Sequence, residues 1–231
     1  LPIFKKTQFT SPVSIEWYLG GKTNACYNCV DRHLPTHATK TALVFEGDDP
    51  KNPVRKWNYQ ELYSNVIGWS HILRDAGVNR GDRVTIYLPM ITEDVFAMLA
   101  CARLGAIHNV VFGGFSSESL AGRIQDCESQ FVITADVAKR AGKIVPLKEN
   151  VDHALKSCPK VKNVFVVPNI GSDKIEIQEG RDLLIDTKRF KTQHLECEAM
   201  DSEDQLFILY TSGSTNRPKG VLHTTGGYLV Y

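Results

Sequence analysis

Arg83-Val-Thr-Ile-Tyr-Leu-Pro89, then Thr92 to Gly105, then Ala106-Ile-His-Asn-Val-Val-Phe112 is the stretch whose reading decides the fold. The first segment is a near-continuous apolar run, as expected of a strand covered on both faces. The second opens on Thr92, the expected N-cap, with Glu93 and Asp94 in its first turn, and stops at Gly105, which predicts a helix. The third is again a strand. A strand, a helix and a strand at this spacing form a βαβ unit, whose strands run parallel.

The same alternation extends in both directions. Upstream, Thr41-Ala-Leu-Val-Phe45 is rich in strand formers, and Leu62, Val66, Trp69, Leu73 and Ala76 recur at intervals of four and three, a helix stripe ended by Gly77. Downstream come the loop Gly113-Gly114-Phe115, a helix capped by Ser116 or Ser117, a strand from Phe131 to Thr134, a helical stretch near Ile144 to Lys156, and a strand from Asn163 to Val167. This order predicts an α/β fold with a doubly wound, mainly parallel sheet flanked by helices. Residues 168–204 are less regular; a short antiparallel excursion from Lys174 to Gln178 is expected there, and the acid-rich residues 195–205 read as an exposed face. Residues 1–40 read as a helical or extended segment packed on the α/β portion, residues 41–231.

The chain has 231 residues, 42% hydrophobic and 23% charged, which is enough apolar material for a sizeable core. The net charge of +1 gives no global attraction to nucleic acid or to an acidic membrane, so any anion site must be local. No apolar run is long enough to span a bilayer, and the N-terminus has no signal-peptide core, so a cytoplasmic protein is expected. The six cysteines show no framework spacing and are expected to be reduced thiols. Cys26, Cys29, His33 and His37 offer four potential zinc ligands in twelve residues. The three-residue spacer between the cysteine and histidine pairs is short for a zinc finger, and Pro35 interrupts the turn carrying His37, so no metal site is expected.

The strongest chemical signal is Leu206-Phe-Ile-Leu-Tyr-Thr-Ser-Gly-Ser-Thr-Asn-Arg-Pro-Lys-Gly220. A buried strand empties into a loop that suits a polyphosphate. Gly213 lets backbone amides approach phosphate oxygens, Thr211, Ser212, Ser214 and Thr215 offer hydroxyls, and Lys219 followed by Gly220 supplies charge. It is not a Walker A loop, because Lys219 precedes its glycine and no hydroxyl residue follows to hold magnesium.

A second local feature is electrostatic. Residues 139–162 hold seven Lys or Arg against two acids, a local +5 in a neutral chain. Within it lies Lys139-Arg140-Ala141-Gly142-Lys143, where paired cations flank a glycine, an arrangement suited to phosphate groups.

The loop string resembles the phosphate loop of the acyl-adenylate-forming enzymes. Gly220-Val-Leu-His-Thr-Thr-Gly-Gly-Tyr-Leu-Val-Tyr231, the segment Leu99 to Ser116, and Tyr27-Asn-Cys-Val-Asp-Arg-His33 narrow the resemblance to the acetyl-CoA synthetase (acetate–CoA ligase, AMP-forming) family, from about Trp17 to Tyr231. Members of that family are several hundred residues longer, so the chain is expected to be an N-terminal portion, inactive alone.

The resemblance implies an acid–thiol ligase. Acetate and ATP would give acetyl-AMP and pyrophosphate, and CoA would then give acetyl-CoA and AMP. It assigns Thr211, Ser212, Gly213, Ser214, Thr215, Lys219 and Gly220 to ATP, with Lys219 catalytic, in a loop that must close on ATP and reopen for CoA. It assigns Gly113, Gly114, Phe115, Arg140, Ala141, Gly142 and Lys143 to CoA. Mg2+ is expected as a cofactor with its ligand outside this chain. Acetate, ATP and CoA are the expected small-molecule partners, with neither nucleic acid nor membrane, and the oligomeric state is not legible. Propionyl-CoA synthetase, or a non-catalytic nucleotide- or partner-binding module, is the alternative.

Asn216 stands where the family usually has glycine, and Asn tolerates a left-handed backbone better than most residues. His108, inside an apolar strand, reads as a core histidine with its hydrogen bonds satisfied. His223 reads as a packing residue. Neither is expected to be catalytic.

Overall fold

The computed structural model describes residues 3–47, 51, 53–140, 142–171, 175–212 and 218–230. Its centre is a seven-stranded sheet whose strands we number along the chain: β1 Arg83–Tyr87, β2 Ile107–Val110, β3 Phe131–Ala135, β4 Asn163–Val167, β5 Asp182–Leu184, β6 Gln205–Thr211 and β7 Lys219–Thr224. The spatial order is β5-β4-β3-β1-β2-β6-β7, with β7 antiparallel to β6 and every other neighbouring pair parallel. Val84, Ile86, Val132, Ile133, Val164 and Phe165 are fully buried. Apolar side chains on both faces are why these strands read as continuous apolar runs.

Four helices cover the sheet: α1 Tyr59–Asp75, α2 Thr92–Arg103, α3 Ser117–Asp126 and α4 Leu147–Leu155. β1 leads through α2 to β2 on one side, and β2 leads through α3 to β3 on the other. Right-handed crossovers therefore place α2 and α3 on opposite faces. α1 packs on α2, and α3 on α4. Asn58 and Glu61 form a reciprocal capping box at the start of α1, and Gly77, at φ +91°, follows its end. The crossing from β1 to neighbours on both sides makes the carboxyl ends of β1, β2 and β3 a topological switch point, where open α/β sheets take their ligands.

Three expectations require correction. The helix expected from Ile144 begins at Leu147, because Ala138–Arg140 and Lys143–Val145 form an antiparallel hairpin. Gly142, at φ +78°, turns the chain there, and Ile144 and Val145 are β-branched. The expected excursion from Lys174 to Gln178 is not a strand over its described part, residues 175–178; the strand is β5, parallel to β4 with Asp182 opposite Val164. Lys174 itself lies outside the described residues. Finally, Ile91, not Thr92, is the N-cap of α2, and the Thr92 hydroxyl donates to the Glu93 carboxylate at 3.1 Å.

Before α1 the chain contributes a hairpin of Ile3–Gln8 with Ser14–Leu19, a short helix Ala25–Cys29, and a second hairpin of Thr41–Phe45 with Arg55–Asn58. Lys22 and Thr23 pair antiparallel with Asp201 and Met200, which ties this part to the connector leading into β6. Among the described residues, no helix is long and apolar enough to cross a membrane.

Candidate functional site

The carboxyl edge of the sheet holds an open cavity of about 570 Å³, lined among others by Arg55, Met90, Gly113, Gly114, Arg140 and Asn169. Its floor depends on two glycines that follow β2. A Cβ on Gly113 would stand 2.8 Å from the Leu88 carbonyl oxygen, a backbone contact that cannot yield. A Cβ on Gly114 would stand 2.5 Å from the Phe112 ring and 2.7 Å from an Arg140 Nη. Glycine here lets two strand ends and a guanidinium converge.

Arg140 reaches the cavity from the 138–145 hairpin and lies 4.9 Å above the Phe112 ring. Lys143 is its direct cross-strand partner. Like charges opposite each other in an antiparallel pair repel, and among the described residues no carboxylate oxygen lies within 4 Å of either cation. The hairpin neck is thus a pair of exposed cations, of which Arg140 lines the glycine-bearing cavity and Lys143 lies outside its lining, an arrangement that an anion would relieve.

Asp136 fixes the wall of that cavity. It is buried just after β3, and its carboxylate accepts from the backbone N–H groups of Val137 (2.6 Å), Asn169 (3.0 Å), Ile170 (3.3 Å) and Gly171 (2.8 Å). The Asn169 amide donates to the Val137 carbonyl at 3.0 Å. These bonds join the loop after β4 to the start of the hairpin. An acid directly after a buried strand was the available signal for this role. Arg55 and Met90 carried no comparable local signal.

The structure separates the rest of the assigned group. Phe115 lies outside the cavity lining: its ring sits 4.5 Å from the Arg123 guanidinium and edge-on to Phe112, and its carbonyl accepts from the Tyr87 hydroxyl at 2.6 Å. Gly142 forms the hairpin turn, and Ala141 lies outside the described residues. The basic stretch is not one face either. The Lys148 ammonium is buried against Asp152 (2.7 Å) and Asp182 (2.9 Å), with Arg181 bridging the same two carboxylates. Lys160 pairs with Glu128.

At the neighbouring strand end, Thr211 closes β6 and pairs across the hairpin with Lys219, while Tyr210 pairs with Gly220. Lys219 and Gly220 are therefore strand residues at the neck of the expected phosphate loop, with Thr211, Ser212 and Lys219 exposed. A Cβ on Gly220 would press the Tyr210 ring at 3.3 Å. Gly213, Ser214, Thr215 and Asn216 lie outside the described residues. Because β6 adjoins β2, this neck stands on the same edge of the sheet as the glycines after β2.

Comparison with known proteins bears on the chain as a whole. Residues 30–231 match the family described as AMP-binding enzyme. The chain belongs to that family. It is 54% identical over 229 residues to an acetyl-coenzyme A synthetase of Bdellovibrio bacteriovorus, covering 98% of this chain and 35% of the relative. It is 55% identical over 232 residues, with the same coverage, to an acetyl-coenzyme A synthetase of Rhizobium meliloti. Among solved structures, acetoacetyl-CoA synthetase from Streptomyces lividans superposes with a TM-score of 0.86 at 26% identity, over 98% of this chain and 34% of that one. The chain thus spans about a third of the length of these relatives, and the α/β fold of an acyl-CoA synthetase is established for it.

The histidines divide. His223 stacks on Phe207 at 4.4 Å, as a packing residue should. His108 is buried, but its Nδ1 makes no hydrogen bond among the described residues, which corrects the expectation of a satisfied core histidine. Burial pushes its pKa down to about 4, so it stays neutral at pH 7. Cys26, Cys29, His33 and His37 do not converge as a metal site. Cys26 instead meets Asp31 and Cys197, with ligand atoms within 4.8 Å of one another. The separation of 171 positions between the two cysteines hid that contact from sequence spacing.

Proposed function

We propose that the chain supplies the ATP- and CoA-facing part of an AMP-forming acetate–CoA ligase. One observation carries the reading: the Thr211–Lys219 neck and the Arg140–Lys143 hairpin occupy the same carboxyl edge of the sheet. One edge can serve both a polyphosphate and the phosphates of a second substrate. In the first half-reaction an acetate oxygen bonds to the α-phosphorus of ATP, and the bond to pyrophosphate breaks. In the second, the CoA sulfur bonds to the acetyl carbon and AMP leaves.

Each group has a role in this scheme. Lys219 and the hydroxyls of Thr211 and Ser212 hold the β- and γ-phosphates and offset the charge that gathers on departing pyrophosphate. Arg140 and Lys143 hold CoA phosphates, with Gly113 and Gly114 allowing the ligand close approach. Magnesium would accompany ATP, but the described residues do not fit it: the one cluster of potential ligand atoms among them is sulfur-rich and already engaged by Arg103. A cytoplasmic setting and acetate as the acyl substrate belong to the same proposal.

The test is Lys219→Ala in the full enzyme, assayed for acetate-dependent exchange between ATP and pyrophosphate and, separately, for acetyl-CoA formation from synthetic acetyl-AMP. Loss of exchange by about tenfold or more, with thioester formation from acetyl-AMP retained, is expected, since a charge-assisted phosphate contact contributes roughly 1.5–3 kcal/mol. Equal loss in both reactions refutes the assignment.

A further inference from the structure

Cys26 and Cys197 meet in a setting that the ligase chemistry does not use. Lys22-Thr23 and Met200-Asp201 form a short antiparallel ladder, and the two cysteines stand three residues beyond its Thr23–Met200 pair, one on each chain segment. The segments are clamped there. The Asn24 amide donates to the carbonyls of Glu198 (2.9 Å) and Ala102 (2.7 Å), and the Glu198 N–H donates to the Arg103 carbonyl at 2.8 Å.

Arg103, wholly buried, completes the clamp. Its guanidinium makes a bidentate pair with Asp31 at 2.9 Å on both arms, donates through Nε to the Leu195 carbonyl at 2.6 Å, and approaches the Cys26 sulfur at 3.6 Å. Burial alone would lower its pKa, but the Asp31 hydrogen bonds and the nearby sulfurs outweigh this and raise it. A fixed positive charge therefore sits beside two thiols, one buried (Cys26) and one partly open to solvent (Cys197). The same charge opposes a metal cation, and Asp31 is already committed to Arg103, so the trio of Cys26, Asp31 and Cys197 is a poor metal site.

We infer that Cys26 and Cys197 form a peroxide-responsive dithiol, oxidised to a disulfide that ties the helix Ala25–Cys29 to the connector leading into β6. The oxidant is a hydroperoxide. The Cys197 thiolate sulfur attacks a peroxide oxygen, the O–O bond breaks and water leaves, so Cys197 becomes a sulfenic acid. The Cys26 sulfur then attacks the Cys197 sulfur, the S–O bond breaks, and hydroxide leaves as water with the Cys26 proton. Overall, two thiols and one hydrogen peroxide give one disulfide and two waters. The sulfurs must close from within 4.8 Å to about 2.05 Å.

The environment assigns the order of events. The neighbouring Cys26 sulfur lowers the Cys197 pKa and is itself raised, and the Cys197 S–H lies 3.9 Å from an Asp31 carboxylate oxygen. Cys197, the partner that solvent reaches, is thus the thiol that a hydroperoxide meets first, while Cys26 is buried behind it. Arg103, with an Nη 3.6 Å from the Cys26 sulfur, favours the Cys26 thiolate that attacks the sulfenic acid. Cys101, by contrast, is fully buried and its thiol is pushed up to about 12, so it stays inert.

The test uses the full chain carrying Cys29→Ser, which removes the exposed thiol, treated with hydrogen peroxide while folded. Thiol titration should show two thiols lost per chain, and non-reducing peptide mass spectrometry should find Cys26 joined to Cys197, with dithiothreitol restoring both. Cys197→Ser should abolish the loss, whereas Cys26→Ser should leave a sulfenic acid at residue 197 that dimedone traps. Because Cys26 is buried, the Cys197 variant decides the question if the Cys26 variant misfolds. Retention of all thiols, over-oxidation of Cys197 with Cys26 still free, or purification of the chain with one equivalent of zinc would each overturn the inference.

Discussion

The two ends of the basic stretch 139–162 have the same kind of sequence and opposite fates. At one end, Arg140 and Lys143 face each other across a hairpin neck, exposed and without a carboxylate within 4 Å among the described residues. At the other, Lys148 is only 2% exposed, and its charge is consumed by Asp152 and Asp182. Both are cations next to aliphatic residues. The difference is the fold around them: a short hairpin leaves one pair in solvent, whereas α4 and β5 bring a buried acid to the other. Local charge counts measure how many cations are present, and only tertiary contacts decide which remain available to a ligand.

The sharpest way to break the contrast is Lys148→Ala. Removing one partner from a buried ion cluster typically costs about 3–5 kcal/mol. Arg181 still bridges both carboxylates, so we predict a loss near the lower end, about 3 kcal/mol, measured by denaturant unfolding. A change under ~1 kcal/mol would show that Lys148 is not held as described.

Arg140→Glu should act at the opposite end of the stretch and on a different observable. In the full enzyme the KM for CoA is predicted to rise at least tenfold to a hundredfold, the value of roughly 1.5–3 kcal/mol in a charge-assisted contact. Acetate-dependent exchange of ATP and pyrophosphate should stay within about twofold. Collapse of both activities would make Arg140 structural, and an unchanged KM would make the hairpin a merely solvated cation pair.

Asp94 offers the mirror image of Lys148, a half-buried charge with no ion-pair partner among the described residues. Its Oδ1 is buried without a hydrogen bond among the described residues, and burial raises its pKa from 3.8 to about 6. A carboxyl raised on folding opposes stability wherever it is ionised, above its unfolded pKa. Stability should therefore rise as pH falls through about 6 toward 4. Moving a carboxyl that far corresponds to roughly 3 kcal/mol at most, and the charge it places at a helix N-terminus returns up to ~1 kcal/mol. Asp94→Asn is predicted to stabilise the protein by about 1–2 kcal/mol at pH 7 and to flatten that pH dependence. Equal stability of the two proteins at pH 7 would show that Asp94 is solvated.

The smallest effect is expected at Lys160, exposed and paired with Glu128. Lys160→Ala should change stability by less than ~1 kcal/mol and leave the CoA KM unmoved. A CoA effect there would return the whole stretch to a single electrostatic face.

These contrasts also explain which parts of the molecule are legible in its sequence. β1, β3 and β4 are, because burial on both faces demands uninterrupted apolar runs, and so is α1, because its stripe recurs at helical spacing. The 138–145 hairpin is not, since its three-residue strands are half charged and merge in sequence with the helix that follows. β5 is as short and owes its place to the buried Asp182. Of the candidate site, Gly113, Gly114 and Arg140 are legible, and the structure gathers them in one cavity. Asp136, Arg55 and Met90 are not, because their roles depend on chain segments far away in sequence. The Cys26–Cys197 contact is the extreme case.

The antiparallel pairing of Thr211 with Lys219 has a consequence for how such a protein can be altered. Side chains alternate faces along a strand, so sliding β7 by one residue would point Lys219 to the other side of the sheet. Insertions between Ser212 and Pro218 lengthen a connection whose ends are anchored in β6 and β7, and loop closure penalises added length only weakly. A library randomised in length between those two positions should therefore retain folded members carrying the lysine on its original face, while a single insertion at Val221 or Leu222 should not. The sheet sets where the cation stands, and the length of the connection is left as the adjustable part.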